Sequence, residues 1–332
     1  MTRSRFQFPT RALFHALGGL LLAAAAGLTG AQDFPAKPVR LVVGFPPGGS
    51  NDIVARHLSP KLGELLGAQV IVENRAGANA IIGTDYVAKS PPDGYTVTLA
   101  SVSPLVISPW TYARIPYDTI NDFAPITTVA MTPEVIAVHP ALPVRSLKEL
   151  IALAKAQPGK LDFASSGNGG LPHLVIELFK TTAKVNLQHV AYKGAGPALT
   201  DLLGGHVQGI AVDFPVLYPH IKAGKLRGLA VASERRNSLL PDMPTTAEQG
   251  LPTLFAVNWF GIMAPAKTPR PVVDKLYGAL VKASTSPDVK ERFVAVGVES
   301  MTMKSPDAFA GFLKQELVRW GKVAKESGAR AD

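Results

Sequence analysis

Leu41-Val42-Val43-Gly44-Phe45 is an apolar run of the kind expected for a strand covered on both faces. Pro46-Pro47 ends it, and Gly48-Gly49 permits positive φ or a close approach to something small. Ser50, Asn51 or Asp52 can then cap a helix whose apolar face holds Ile53, Val54, Leu58, Leu62 and Leu65, with Gly67 placed as its stop. A helix start of this kind leaves backbone N–H groups unpaired at the positive end of the helix dipole, so it can receive an anion. An ordinary strand–turn–helix connection would read the same way in isolation.

The alternation continues. Gln69–Glu73, Tyr95–Ala100 and Glu134–His139 read as strands, and a short helix runs through Tyr86-Val87. Ser101–Pro109 reads as a loop, and the segment from Thr111 to Ile126 as irregular. Ser146-Leu147-Lys148-Glu149 is a capping box opening a helix that Pro158-Gly159 ends. Strands at Leu161–Ala164 and Val185–Val190 lead into Gly-rich turns and helices, and Val207–Val212 into Asp213 and another helix. Lys225–Ala232 closes that series, and Phe309, Phe312, Leu313, Leu317 and Trp320 mark an amphipathic helix after Ser305-Pro306. Two α/β sets of similar build emerge, with Gly/Ser/Asn loops at the carboxyl ends of strands, where open α/β sheets bind ligands.

Composition narrows the setting. Arg3, Arg5 and Arg11 precede an acid-free apolar run from Ala12 to Leu28 and then Thr29-Gly30-Ala31, the pattern of a signal peptide (residues 1–31) cut after Ala31. The competing membrane anchor is disfavoured because the run is short and padded with Ala and Gly. The chain has no cysteine, which excludes a lipidated cysteine, disulfides, thiol catalysis and thiolate metal sites. A periplasmic protein without a lipid anchor is expected. Removing residues 1–31 takes away three Arg and no acid, lowering the formal charge from +9 to +6. The remaining charge is spread along the chain without the basic clusters of a nucleic-acid surface. About 300 remaining residues suggest two domains.

No Gly-x-Ser-x-Gly elbow, phosphate-binding P-loop or Gly-x-Gly-x-x-Gly fingerprint is present, and the seven His are scattered without metal-site spacing. A secreted α/β hydrolase using a cleft serine, Ser165 or Ser166, would need a His–acid pair at the same cleft. His173 could edge into that cleft from the next helix turn.

Eight blocks in order carry a resemblance: 38–56, 70–83, 91–96, 115–127, 161–174, 190–208, 244–252 and 259–269. Through PVRLVVGFPPGGSNDIVAR, VIVENRAGANAIIG, LDFASSGNGGLPHL and VAYKGAGPALTDLLGGHVQ among them, the chain resembles the tripartite tricarboxylate transporter substrate-binding proteins, the Bug receptors. The loop that usually reads Asn-Arg-Pro-Gly-Ala-Gly-Gly reads Asn74-Arg75-Ala76-Gly77-Ala78-Asn79-Ala80 here.

The resemblance implies a two-lobed Venus-flytrap α/β fold (type II periplasmic binding protein), each lobe a mainly parallel sheet flanked by helices. The expected lobes are 36–132 with 258–332, and 133–257, with Trp259 and Phe260 in the core at the crossover. It further implies a monomeric receptor that needs no cofactor. Such a receptor holds a di- or tricarboxylate, acidic amino acid or aromatic acid for a membrane transporter. Backbone N–H groups and water would hold the carboxylate at Phe45 and Pro47-Gly48-Gly49-Ser50, facing Ser165-Ser166-Gly167-Asn168 and Lys193-Gly194-Ala195-Gly196. Asn79, Ser101, Ser103 and Asp213 are candidates to read the rest of the ligand. Asp52 is expected to brace its helix. Lys193 is either a direct ion pair or surface, and Asp213 either a helix cap or a cleft carboxylate favouring a ligand with a positive group.

Overall fold

The computed structural model describes residues 34–331; the expected signal peptide lies outside them. Its strands are β1 Val39–Val43, β2 Val70–Asn74, β3 Thr96–Ser101, β4 Phe123–Val138, β5 Asp162–Ser165, β6 Gln188–Ala191, β7 Gly209–Asp213, β8 Arg227–Val231, β9 Val257–Pro265 and β10 Glu299–Ser300. Its helices are α1 Ser50–Leu66, α2 Ile81–Ala88, α3 Leu147–Ala156, α4 Leu171–Ala183, α5 Ala195–Leu203, α6 Phe214–Lys222, α7 Arg270–Thr285, α8 Pro287–Val294 and α9 Pro306–Ser327.

In the first lobe β1 runs parallel to β2 and β3, and β9 joins β3 antiparallel. In the second, β5 runs parallel to β6 and β7. β4 serves both. It pairs antiparallel with β9 from Phe123 to Pro133, then with β7 from Glu134 to Val138. This two-lobed α/β arrangement is the expected fold class.

β4 is longer than its sequence suggests. Pro125 and Pro133 read as breakers, since proline cannot donate to a ladder. Pro125 borders a register shift, and Pro133 sits where the partner changes from β9 to β7, so the strand continues through both. The segment after Ser101 is likewise helical rather than loop: Ser103–Ile107 is a π-helical turn and Ser108–Thr111 an α-helical one. Pro104 and Pro109 fall at the starts of these turns, where no N–H is needed, and Leu105, Val106 and Ile107 are fully buried.

Elsewhere the apolar spacing acts largely as read. α1 buries Val54, Leu58 and Leu62 and ends at Gly67 with φ +70°, but Leu65 of the expected face is exposed and Leu66 is buried in its place. Ser146 caps α3 by accepting from the Glu149 N–H at 3.1 Å, and Ser305 caps α9 from Ala308 at 3.0 Å. α9 buries Phe309, Leu313 and Trp320, roughly 1.5–3 kcal/mol each. It packs on β4, on the turn at Ser103–Ile107 and on α4 of the second lobe.

Candidate functional site

The first strand delivers the chain to Gly48, whose φ of +86° an L side chain would resist. Gly49 is the N-cap of α1 and supplies no side-chain acceptor, so the opening N–H groups at Ser50–Asp52 have no partner within the helix or its cap. Asp52 turns back. It accepts from the Gly48 N–H at 3.1 Å, Arg56 Nε at 2.9 Å and Asn74 Nδ2 at 3.0 Å. Burial opposes its charge, but the Arg56 and Gly48 hydrogen bonds prevail and hold its carboxyl below the ordinary range. This bracing fixes the loop and leaves the end of α1 free.

That end opens into a cavity of about 20 Å³, lined by Phe45, Gly49, Ser50, Asn51, Ser101 and Ser103 from the first lobe and by Ser166, Pro172, Ala195, Val212 and Asp213 from the second. Asn258, at the start of β9, completes the wall. The space holds about one water molecule. The starts of α1, α4 and α5 all reach it, and Asp213 stands immediately before α6. Asn51 is 4% exposed, and its Nδ2 has no hydrogen-bond partner in the protein. A buried amide donor left without an acceptor costs about 1–3 kcal/mol, so this nitrogen calls for one. Larger hollows of about 520 and 450 Å³ lie by Leu226–Leu229 and between Met131 and Arg319. Neither gathers helix N-termini, and chemistry rather than size singles out the small cavity.

Asp213 does not cap α6: it occupies the N-cap position without a side-chain cap bond. Its carboxylate accepts from Ser50 Oγ across the cleft and from Asn258 Nδ2 at 2.9 and 3.1 Å. Its register partner is Glu134, so the two carboxyl groups share a face of the sheet. Glu134 is wholly buried and neither of its oxygens is hydrogen-bonded by the protein's donors. Burial, then the charge of Asp213, push Glu134 well above the ordinary carboxylate range, and burial also raises Asp213 against the pull of Ser50 and Asn258. The pair therefore holds a proton more readily than free carboxylates do, in a hydrogen bond between the two side chains.

A group raised in the folded state stabilises fully below its unfolded pKa and loses that contribution as pH climbs to its folded one. The contribution of Glu134 to wild-type stability should consequently fall as pH rises above about 4.5, opposite in sign to that of the lowered His189. Glu134→Gln, neutral throughout, should lose less than wild type between pH 5 and 8. Thermal melts at both pH values check this, and a wild-type decline no steeper than the variant's would contradict it.

Of the sequence-predicted residues, Phe45, Gly49, Ser50, Ser101, Ser103, Ser166, Ala195 and Asp213 line the cavity. Pro47, Gly48, Asn168 and Lys193 are exposed and Gly167 and Gly194 buried, and none of the six is in its wall. Ser103 Oγ accepts from the Leu171 N–H at 3.0 Å, joining the first lobe to the start of α4. Thr111 Oγ1 and Tyr112 OH donate to the carbonyls of Gly169 and Asn168 at 2.8 and 3.1 Å. Asn79, in left-handed conformation between Ala78 and Ala80, donates to Ser108 Oγ at 3.2 Å, and a Cβ on Gly170 would lie 2.6 Å from its Oδ1. The lobes are thus in contact on several sides of the cavity.

Ser165 is buried beneath the loop, its Oγ 2.6 Å from His189 Nε2 and 3.1 Å from the Gly167 carbonyl. His189 stacks on His173 with ring centroids 4.0 Å apart. Burial first, then the charge of His173, lower His189 to about 4, so it is neutral at physiological pH. The Ser–His pair pins the loop from behind and has no surface in the cavity through which to reach a substrate. Asn51, Pro172, Val212 and Asn258 are lining residues outside the sequence-predicted set. Asn258 was findable as a polar interruption of the apolar run of β9; Asn51 read as a helix cap. Among the described residues no cluster of His and acids could hold a metal ion, and no helix is long and apolar enough to cross a membrane.

Two lobes meeting over helix N-termini define a solute-binding protein of the periplasmic kind. Periplasmic binding protein BugD superposes with a TM-score of 0.85 at 35% identity, over 90% of this chain and 99% of that one. A structure described as R. palustris Rpa4515 with adipate matches at a TM-score of 0.87 and 34% identity, over 90% and 99%. Protein BugT of Bordetella pertussis is 40% identical over 315 residues, 94% of this chain and 96% of the relative. The profile described as tripartite tricarboxylate transporter family receptor matches residues 54–329. The chain belongs to that receptor family and to its Bug proteins.

Proposed function

We propose that this protein is a monomeric periplasmic receptor, exported by residues 1–31, cleaved after Ala31 and free of a lipid anchor. It binds a small organic carboxylate between its lobes and delivers it to the membrane components of a tripartite tricarboxylate-type transporter. Residues 36–132 with 258–332 form one moving body and 133–257 the other, a division supported by the change of β4 partner between Pro133 and Glu134. The reading rests above all on the unpartnered Asn51 Nδ2 beside the uncapped start of α1, in a lining without Arg, Lys or His. These are neutral donors aimed at one place, which suits a carboxylate held by fixed dipoles. The adipate-bound relative supports the ligand class. A receptor also fits better than a hydrolase, because Ser165 is sealed behind its loop and Ser166 lines the cavity with no His beside it in the wall to act as a base.

Closure follows from the same arrangement. A ligand held by α1 on one side and by residues of the second lobe on the other favours the form in which both sets of donors are complete. Thermal melts of the purified mature protein against a panel of small mono-, di- and tricarboxylates and acidic amino acids test the reading. At one hundred times its dissociation constant a ligand should add about 2.7 kcal/mol of stability. A panel without a single stabilising acid at millimolar concentration would overturn the proposal.

A further inference from the structure

Resting on that reading, we infer that Glu134 is a positioning residue for closure: the lobes shut over Asp213 when a proton is shared between the carboxyl groups of Glu134 and Asp213. Glu134 is wholly buried and outside the cavity wall, so it acts on a ligand only through Asp213. The two are register partners on β4 and β7 of the second lobe, and Asp213 is 7% exposed. Neither oxygen of Glu134 has a donor from the protein. Two carboxylates have no hydrogen to offer one another, so a bond between them exists only with a proton in it. Without it, two negative charges would face each other out of water. From α1 the pair meets Ser50, while Asp52 is engaged by Arg56 and Asn74; from β9 it meets Asn258. β8 brings Val231 and Ala232 alongside, and α6 opens with Phe214 and Pro215, so among the described residues no cation faces the pair.

Closure changes the surroundings of Asp213. Ser50, which hydrogen-bonds to its carboxylate, comes from the first lobe. When the lobes part, Ser50 leaves with α1 and water reaches Asp213, which then bears its charge at little cost. Shutting the lobes replaces that water with one hydroxyl. The Ser50 and Asn258 hydrogen bonds favour the ionised form, but the loss of water outweighs them and leaves Asp213 above the ordinary carboxylate range. The closed form therefore binds the shared proton more tightly than the open form does. At high pH closing must first take up a proton, which holds the lobes apart; at low pH the proton is already in place. One such proton changes the ratio of closed to open molecules by at most about tenfold per pH unit.

Small-angle scattering of the ligand-free mature protein tests this with no acid in the cleft. Wild type should have a smaller radius of gyration at about pH 5 than at about pH 8. Glu134→Gln, whose amide offers Asp213 a donor at every pH, should be as compact at the upper pH as wild type is at the lower. Should that variant fail to fold by circular dichroism, the wild-type comparison alone decides. Equal wild-type dimensions at the two pH values, or a folded variant no more compact than wild type at the upper one, overturns the inference. Because no ligand is present, either result leaves the carboxylate receptor standing, and that reading falls only with the panel of acids.

Discussion

Gly194→Val is expected to abolish ligand binding while both lobes stay folded. Gly194 precedes α5 with φ +119°, and a Cβ there would lie 2.8 and 2.9 Å from Cδ and Cγ of Pro46 on the other lobe. Proline is rigid and this one ends the first strand, so it cannot swing aside as the tip of a long side chain would. The clash exists only when the lobes are together. The strain of a β-branched residue at this φ, about 1–3 kcal/mol, is present in both forms and lowers stability without choosing between them. The variant should therefore remain open, with affinity reduced more than about 100-fold, or roughly 2.7 kcal/mol. Small-angle scattering should show ligand compacting the wild type and leaving the variant unchanged. Wild-type affinity in the variant would mean that the Pro46 contact plays no part in binding.

Gly49→Val should be nearly as severe for a different reason. Gly49 has φ −81°, which any residue adopts, and a Cβ would meet only the Pro46 carbonyl at 3.8 Å, an ordinary contact. The fold should tolerate the change. The cavity should not, since Gly49 lines a space of about 20 Å³ beside the donors of α1, and an isopropyl group there occupies the approach of the anion. Lys193→Ala is the control. Lys193 is exposed and outside the lining, so its removal should change affinity by less than about threefold, the scale of an exposed ion pair. Titration of both variants checks the ordering, and a severe loss in Lys193→Ala with Gly49→Val unaffected would replace the backbone-donor account with an ion pair.

The legible parts of this molecule are those in which local pattern and tertiary role coincide. The run Leu41–Phe45, the turn Gly48-Gly49 and the apolar face of α1 each declare a buried strand, a tight turn and a helix, and the structure has all three. β4 was legible only in its second half, because its prolines are accommodated by a register shift and a change of partner that nothing local announces. In the site, residues at strand ends were readable by position, since ligands gather there whatever the side chain. Side-chain direction was not. Asp213 has the sequence context of a helix cap, yet Ser50 and Asn258, 163 and 45 residues away, hold it in the cavity. Ser165 and Ser166 are neighbours on one loop, and the alternation of the strand sends the first beneath the loop and the second to the cleft. Glu134 is a single acid in an apolar strand, and only the antiparallel register with β7 reveals its partner.

Neutral, fixed donors at the start of α1 are expected to hold a ligand carboxylate between the lobes. A crystal structure of the mature protein with a bound acid tests it most directly. Its carboxylate oxygens should lie within hydrogen-bond reach of Asn51 Nδ2 and of the Ser50–Asp52 N–H groups, with no Arg or Lys side chain on them. A carboxylate seated on a basic side chain, or a ligand lying in the hollow between Met131 and Arg319, would contradict it.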